Sequence, residues 1–159
     1  MRETPDRGRI VVVNFEIGGT ATPPEMVGTQ RPCVVVQNNA LRRDALVTLV
    51  PLSTTEPLRP GKQHHRMSHL SFRGWPMDWD GQGTPRWAKC DYLATVSLSR
   101  CTDPYTKEQF GGRRYVRVKA TRIDLEAVER CVIWALGVDP RLHIEPRAEV
   151  AVDTVRPEC

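Results

Sequence analysis

One arginine and two neighbouring hydroxyl residues are the strongest candidates for a functional site in this 159-residue sequence, judged by residue type and spacing. Arg31 stands directly before Pro32 and a valine-rich run, and Ser53 and Thr54 end a later valine-rich run. If the two runs pair as neighbouring strands, Arg31 and Ser53 meet at the same rim of a sheet. A guanidinium beside hydroxyls at such a rim is a phosphate-binding arrangement. The alternative is an Arg-Pro surface turn followed elsewhere by an ordinary Ser/Thr-rich loop.

Three histidines raise the question of a metal site. His65 and His69 would share one face of a helix, with His64 beside them, but the flanking residues do not have a helical pattern. No carboxylate falls at metal-ligand spacing. We therefore expect no metal ion and no cofactor, and the histidines stay candidates for acid–base chemistry.

The five cysteines are widely spaced and form no Cys-x-x-Cys pair. Their odd number and their spacing do not fit a disulfide framework or a structural zinc finger. We expect reduced thiols, as in a cytoplasmic protein.

Positive charge is concentrated in the middle of the chain. Residues 60–120 hold 11 basic and 5 acidic side chains, whereas residues 121–159 hold 5 basic and 8 acidic ones. A basic region of this kind is typical of a site for a polyanion.

Residues 56–87, within that region, combine cations with aromatic rings in a segment rich in proline and glycine. Such a segment suits single-stranded RNA, because cations follow the backbone while rings stack on unpaired bases. We assign RNA contacts to Arg66, Arg73, Trp75 and Trp79. We do not expect both tryptophans to be deeply buried, and we expect their replacement by alanine to cost little thermal stability. The alternative is that the tryptophans cover the open end of a barrel or a dimer seam.

Short strands are the elements that must position these residues. Valine-rich runs predict strands at 10–15, 33–37 and 45–50, and Asn38-Asn39 predicts a hairpin between the second and the third. Further strand-like runs lie at 65–72, 88–96, 115–119 and 149–152. Apolar spacing predicts one helix from Asp124, its N-cap, to Gly137. The order predicts a mainly β fold, a small antiparallel barrel with a C-terminal helix.

Length and hydropathy predict the organisation of the chain. We expect a single domain over residues 1–159, with an inserted loop at about 56–87 and an extended tail at about 140–159. No apolar run is long enough for a membrane-spanning helix, and the first residues make a poor signal peptide. We expect a cytoplasmic protein without a membrane partner.

The motifs, taken in order, resemble the PemK/MazF family of toxins from bacterial toxin–antitoxin systems. The similar segments are Gly8-Arg-Ile-Val-Val-Val-Asn-Phe15, Glu25 with Gly28, Arg31-Pro32-Cys-Val-Val-Val, and Val50-Pro51-Leu52-Ser53-Thr54. Residues 89–100 and 124–137 resemble the family's later strand and its C-terminal helix.

The resemblance implies an SH3-like barrel that forms a homodimer and cleaves single-stranded RNA without a metal ion. It also implies products with 2′,3′-cyclic phosphate and 5′-hydroxyl ends, and neutralisation by a cognate antitoxin. The family's catalytic arginine falls on Arg31 and its catalytic threonine on Ser53, with Thr54 adjacent. Its loop glutamate falls near Glu25. Lys89 and Asp91, in the later matching strand, are further candidates for RNA contacts.

Three departures separate the sequence from the family pattern. Serine replaces the catalytic threonine, Glu25 lies one residue further from Arg31, and Tyr92 stands where many relatives have glutamine. Two non-catalytic functions on the same fold therefore stay open: a gyrase-poisoning type, whose partner is a protein, and RNA binding without cleavage. Arg31 is suited to stabilising phosphate charge rather than to acting as a base. For the general base the candidates are Glu25, His64 and His65, in that order.

Overall fold

Valine-rich runs form the central strands of a curled antiparallel sheet in the computed structural model, which describes residues 1, 3–16, 30–41, 45–76 and 84–138. The strands in this part of the chain are β1 (Arg9–Asn14), β2 (Gln30–Val35), β3 (Leu46–Ser53), β4 (His64–Arg66), β5 (Trp87–Lys89), β6 (Ala94–Ser97), β7 (Cys101–Thr102), β8 (Tyr105–Lys107), β9 (Arg113–Tyr115) and β10 (Val118–Lys119). One helix, α1, spans Arg122–Ala135, and 3₁₀ turns cover His69–Phe72, Cys90–Tyr92 and Leu98–Arg100.

The sheet curls because its central strands change partners along their length. β1 pairs with β2 along one edge and with β10 and then β7 along the other. β3 pairs with β2 along one edge, and along the other it pairs first with β6 and then with β5. Pro51, which has no N–H to donate, lies between the residues of β3 that pair with β6 and those that pair with β5. β4 extends the sheet beyond β5, and β8 and β9 form a separate hairpin.

Each face of the sheet buries its own apolar cluster, because successive side chains of a strand point to opposite faces. The cluster on the helix side, called here the helix-side core, contains Ile10, Val12, Val34, Val50, Leu52, Ala88 and Val128. The cluster on the other face, called here the opposite core, contains Val11, Val13, Cys33, Val35, Val47, Leu49 and Val96.

Helix α1 begins one turn earlier than the sequence suggests. Its N-cap is Thr121 rather than Asp124: Thr121 has an extended backbone, and its hydroxyl accepts a hydrogen bond from the Asp124 N–H. The prediction of Asp124 as cap was wrong because this carboxylate is buried inside the first turn. Val128 is fully buried, and Cys131, which the apolar spacing puts off the main stripe, also packs against the helix-side core.

The main features of the predicted fold are confirmed: a mainly β fold, the three N-terminal strands, the hairpin between the second and third, and one helix. Several later boundaries were wrong. The run 88–96 divides into β5, a 3₁₀ turn and β6, because its two halves pair with different parts of β3. The run 115–119 divides between β9 and β10, and the run 65–72 holds the end of β4 and then a 3₁₀ turn. The predicted strand at 149–152 and the tail lie outside the described residues.

Four cysteines lie in the described part of the chain, and all are free thiols. Burial raises the pKa of Cys101 to about 11 and that of Cys33 well above its ordinary value. Across the described residues no helix is both long and apolar enough to span a membrane.

Candidate active site at the rim of the sheet

The register of β2 against β3 relates Arg31 to Ser53. It sets Cys33 opposite Pro51 and Val34 opposite Val50, and both strands continue beyond these pairs, β2 to Gln30 and β3 to Ser53. Continued two residues beyond the Cys33–Pro51 pair, the same register sets Arg31 across from Ser53. Neighbouring strands lie about 4.8 Å apart, so the two side chains start within reach of a single phosphate group.

Arg31 and Ser53 lie on the face of the opposite core. Side chains that are an even number of residues apart in a strand point to the same face. Cys33 lies two residues after Arg31 and Leu49 lies four residues before Ser53, and both belong to that core. The electrostatics agree: burial is the largest influence on the pKa of Cys33 and raises it, while the Arg31 guanidinium acts in the lowering direction. Arg31 is therefore a cation at the edge of an apolar cluster, where its field is less screened than in bulk water.

Ser53 is partly buried and ends β3 in a tight turn. Its Oγ accepts a hydrogen bond of 3.1 Å from the Thr55 N–H, which fixes the hydroxyl at the rim. Because Oγ accepts in that bond, its own proton remains able to reach an acceptor such as a phosphate oxygen. Thr54 is exposed and follows directly, so it presents a second hydroxyl at the same corner.

Strands β4 and β5 and the 3₁₀ turn after β5 hold three other predicted site residues. Lys89 ends β5 and is partly exposed, and Arg66 ends β4 and is exposed. Asp91 follows in the 3₁₀ turn, and its Oδ1 lies 3.9 Å from Nε2 of His64. Arg66 also lines a cleft of about 1020 Å³ together with Arg73, His69 and Thr84. The structure therefore brings Arg66 and Arg73 to one concave surface.

Trp75 does not meet the expectation of an accessible ring. Only 3% of its surface is exposed, and it belongs to the helix-side core. The ring meets Phe72 edge to face at a centroid distance of 5.8 Å, and the Arg86 guanidinium lies over both rings. Because the ring fills a core and contacts a cation, we expect Trp75→Ala to lower stability, in contrast to the expectation from the sequence. Trp79 and Glu25 lie outside the described residues.

A buried carboxylate that the sequence indicated only as a helix cap joins the inserted segment to α1. Asp124 is 2% exposed and accepts hydrogen bonds from the Ser71 and Thr121 hydroxyls, at 2.5 and 3.1 Å. The Ser68 N–H donates at 3.1 Å, and Nε2 of His65 lies 2.8 Å from Oδ1. Burial alone raises the pKa of Asp124, but these hydrogen bonds together outweigh it and lower the pKa below its ordinary value.

The sequence carried a signal for this cluster, although it was interpreted as a cap. Thr121 and Asp124 have the spacing of a capping box, in which the residue three positions after the cap is itself a hydrogen-bonding side chain. What the sequence could not show is that Ser71 and His65, more than 50 positions away, complete the site.

The cluster shows where one of the candidate bases, His65, points. His65 pairs with Ala88 and faces Asp124 under the helix, on the side of the sheet away from Ser53. His64 is nearly buried, and its Nδ1 accepts a hydrogen bond from the Gly61 N–H.

Within the described residues, no group of three or more His, Cys, Asp or Glu side chains could hold a metal ion.

Comparison with known families gives one match over most of the chain. The profile of the family described as "PemK-like, MazF-like toxin of type II toxin-antitoxin system" matches residues 6–135. A comparison with curated protein sequences gives no match.

Solved structures with a similar fold include one from a mycobacterial species and two from Deinococcus radiodurans. An endoribonuclease in complex with its cognate antitoxin, from a mycobacterial species, is 20% identical over 86% of this chain and 98% of its own, with a TM-score of 0.55. MazF from Deinococcus radiodurans is 17% identical over 85% of this chain and 98% of its own, with a TM-score of 0.53. A MazE–MazF structure from the same organism is 17% identical over 86% of this chain and 98% of its own, with a TM-score of 0.52.

Proposed function

Because this chain belongs to the family of PemK-like and MazF-like toxins of type II toxin–antitoxin systems, we propose that it is a toxin that cleaves single-stranded RNA. The observation that carries the proposal is the register of β2 against β3, which, continued two residues beyond the Cys33–Pro51 pair, sets Arg31 across from Ser53. Similar structures are described as endoribonucleases, which supports the same activity.

The reaction uses a nucleophile that the substrate itself supplies. The ribose 2′-oxygen attacks the adjacent phosphorus, a new P–O2′ bond forms, and the P–O5′ bond breaks. The products carry a 2′,3′-cyclic phosphate and a 5′-hydroxyl, so no covalent enzyme intermediate is needed. The protein must stabilise the charge that builds on the non-bridging oxygens, remove the 2′-OH proton and protonate the departing O5′.

Arg31 and Ser53 divide the electrostatic part of this work. The guanidinium offers a planar fork of donors that suits two phosphate oxygens, and it stays charged at any working pH. The Ser53 hydroxyl donates a further hydrogen bond to the same phosphate, with Thr54 beside it. Neither step needs a metal ion, and we propose metal-independent cleavage. Arg31 is also our candidate for the group that passes a proton to O5′ and regains one from water, so that the guanidinium is charged again when the step is complete.

The base that takes the 2′-OH proton must reach the Ser53 face of the sheet. His65 faces the opposite side, toward Asp124. Glu25, which the family resemblance associates with the loop before Arg31, is therefore our first candidate, and His64 is the second.

A cognate antitoxin and a second copy of the chain are the proposed protein partners. Two of the similar structures described above contain an antitoxin or a MazE partner. An acidic, flexible peptide would compete with RNA for Arg31 and for the basic region at residues 60–120, because both ligands present negative charge. We propose that the toxin acts on RNA in the cytoplasm as a homodimer.

The test is an analysis of RNA products. Purified protein is incubated with a long single-stranded RNA, with and without EDTA, and the product ends are identified by phosphatase and kinase treatment. We expect cleavage in EDTA, with 2′,3′-cyclic phosphate and 5′-hydroxyl ends. Cleavage that EDTA abolishes would overturn metal independence. Intact RNA together with gyrase inhibition would favour the protein-targeting function, and intact RNA that is nevertheless bound would favour RNA binding alone.

A further inference from the structure

Four neighbouring strands place one side chain each in a single row. Ser53 of β3 is directly opposite Trp87 of β5, and Trp87 is directly opposite Arg66 of β4. On the other side of β3, the register with β2, continued two residues beyond the Cys33–Pro51 pair, reaches Arg31. Residues that are directly opposite in antiparallel strands carry their side chains on the same face. The row Arg31, Ser53, Trp87, Arg66 therefore crosses the sheet on one face.

The neighbouring residues confirm which face this is. Leu52 pairs with Ala88, and Ala88 pairs with His65. Leu52 and Ala88 are buried in the helix-side core, and His65 contacts Asp124 of α1. Because side chains alternate along a strand, the residues one position away point to the other face. The row therefore lies on the face of the opposite core, where the proposed catalytic pair also lies.

The chemistry of the row fits an extended single strand of nucleic acid. Its ends are three strand spacings apart, about 14 Å. Arg66 is exposed and Trp87 is partly exposed, so both can meet a ligand. Two cations thus flank one indole ring. Cations bind phosphates and an aromatic ring stacks on an unpaired base, which is how proteins commonly hold single strands.

We propose that Trp87 stacks on a base next to the scissile phosphate and that Arg66 binds a neighbouring phosphate of the same strand. This inference rests on the proposed function, since it takes Arg31 and Ser53 as the position of the scissile phosphate. It assigns the stacking role to a residue of the inserted segment other than Trp75, whose ring is enclosed by Phe72 and Arg86. Trp87 and Arg66 are binding residues here, and neither takes part in proton transfer.

Binding to an uncleavable strand tests the row separately from catalysis. The probe is a fluorescein-labelled, single-stranded 2′-O-methyl RNA of mixed sequence, which has no free 2′-OH to attack, and the readout is fluorescence anisotropy. Loss of one stacked base weakens binding by about 5- to 150-fold, so we expect Trp87→Leu to raise Kd by that factor. Trp87→Phe keeps a ring and should stay close to the wild type. The matched control is Trp134→Leu, because Trp134 is a half-exposed tryptophan on α1.

The salt dependence tests Arg66. Loss of one phosphate contact on a single strand should reduce the slope of log K against log salt by about 0.7. We expect that change for Arg66→Ala and none for Arg122→Ala, an exposed arginine at the start of α1. Melting temperatures of all variants show whether each is folded under the assay conditions. The probe Kd values of Trp87→Phe and Trp87→Leu are compared at a temperature at which both variants are folded.

The outcomes separate the inference from the proposed function. Wild-type cleavage of RNA together with equal probe binding by Trp87→Leu and Trp134→Leu would overturn the row and leave the nuclease proposal standing. If the wild type binds the probe, Trp87→Leu binds it more weakly and no RNA is cleaved, the binding role of Trp87 is supported and the nuclease proposal is overturned. A wild-type protein that neither binds the probe nor cleaves RNA would overturn both.

Discussion

Replacing Asp124 by asparagine should destabilise the protein far more than the same change at a surface position. The carboxylate accepts hydrogen bonds from Ser71, Thr121, the Ser68 N–H and His65. Asparagine keeps one acceptor oxygen and turns the other position into a donor, so about two of these bonds are lost. A hydrogen bond to a charged group contributes about 1.5–3 kcal/mol, so the loss of two gives about 3–6 kcal/mol. That is a large part of the roughly 5–15 kcal/mol by which domains are stable.

The assay is urea unfolding of both variants at one protein concentration, so that any association affects them equally. Glu126→Gln is the matched control, because it makes the same chemical change on the same helix at a half-exposed residue paired only with Arg122. Its cost should stay below about 1 kcal/mol. For a chain of this length the Asp124→Asn loss corresponds to a fall in Tm of roughly 6–24 °C.

Acid provides a second test of the same carboxylate. Its pKa is lower in the folded protein than in the unfolded chain, so its stabilising effect is complete above the unfolded pKa of about 4. The effect is lost as pH falls through the folded pKa. The stability difference between wild type and Asp124→Asn should therefore be largest near neutral pH and shrink in acid. A loss no greater than that of Glu126→Gln, or a difference that does not change in acid, would refute the reasoning.

Three further predictions concern other parts of the molecule. Trp75→Ala should lower the free energy of unfolding by about 3–5 kcal/mol, because a core ring is removed; a loss as small as that of the exposed Trp134→Ala would contradict this. The buried thiols of a Cys159→Ser variant should react with a thiol reagent much more slowly in the folded protein than in urea, since burial raises the pKa of Cys101 to about 11; equally fast reaction in both would count against it. Antitoxin binding should weaken as salt is raised, and the antitoxin should cover Arg31 and the basic region at residues 60–120; a binding footprint confined to residues 140–159 would contradict this.

Local patterns were enough to predict the elements that carry the proposed catalytic pair. Runs of valine define β1, β2 and β3, and Asn38-Asn39 marks the turn between the second and the third. Once that hairpin is given, the position of Arg31 opposite Ser53 follows from counting residues along two strands. This part of the site depends on contacts that are close in sequence, which explains why the sequence was informative.

Long-range packing determined the features that the sequence did not reveal. Trp75 lies among glycine and proline residues that suggest exposure, but Phe72 and Arg86 enclose its ring. Asp124 has the local pattern of a helix cap, but Ser71 and His65 arrive from the inserted segment to bury it. In each case the partner is set by how distant elements pack, and neither composition nor periodicity reports that.

The cleavage rate of Arg31→Ala tests the central proposal most directly. Single-turnover cleavage of RNA is measured for the wild type, for Arg31→Ala and for Arg59→Ala, which removes an equal charge from an exposed loop. Loss of one donor aimed at the reacting phosphate should slow cleavage by about 10²–10³-fold, with the melting temperature preserved. Arg59→Ala should cleave like the wild type. Equal rates for all three proteins would contradict the assignment of the active site to the rim of β2 and β3.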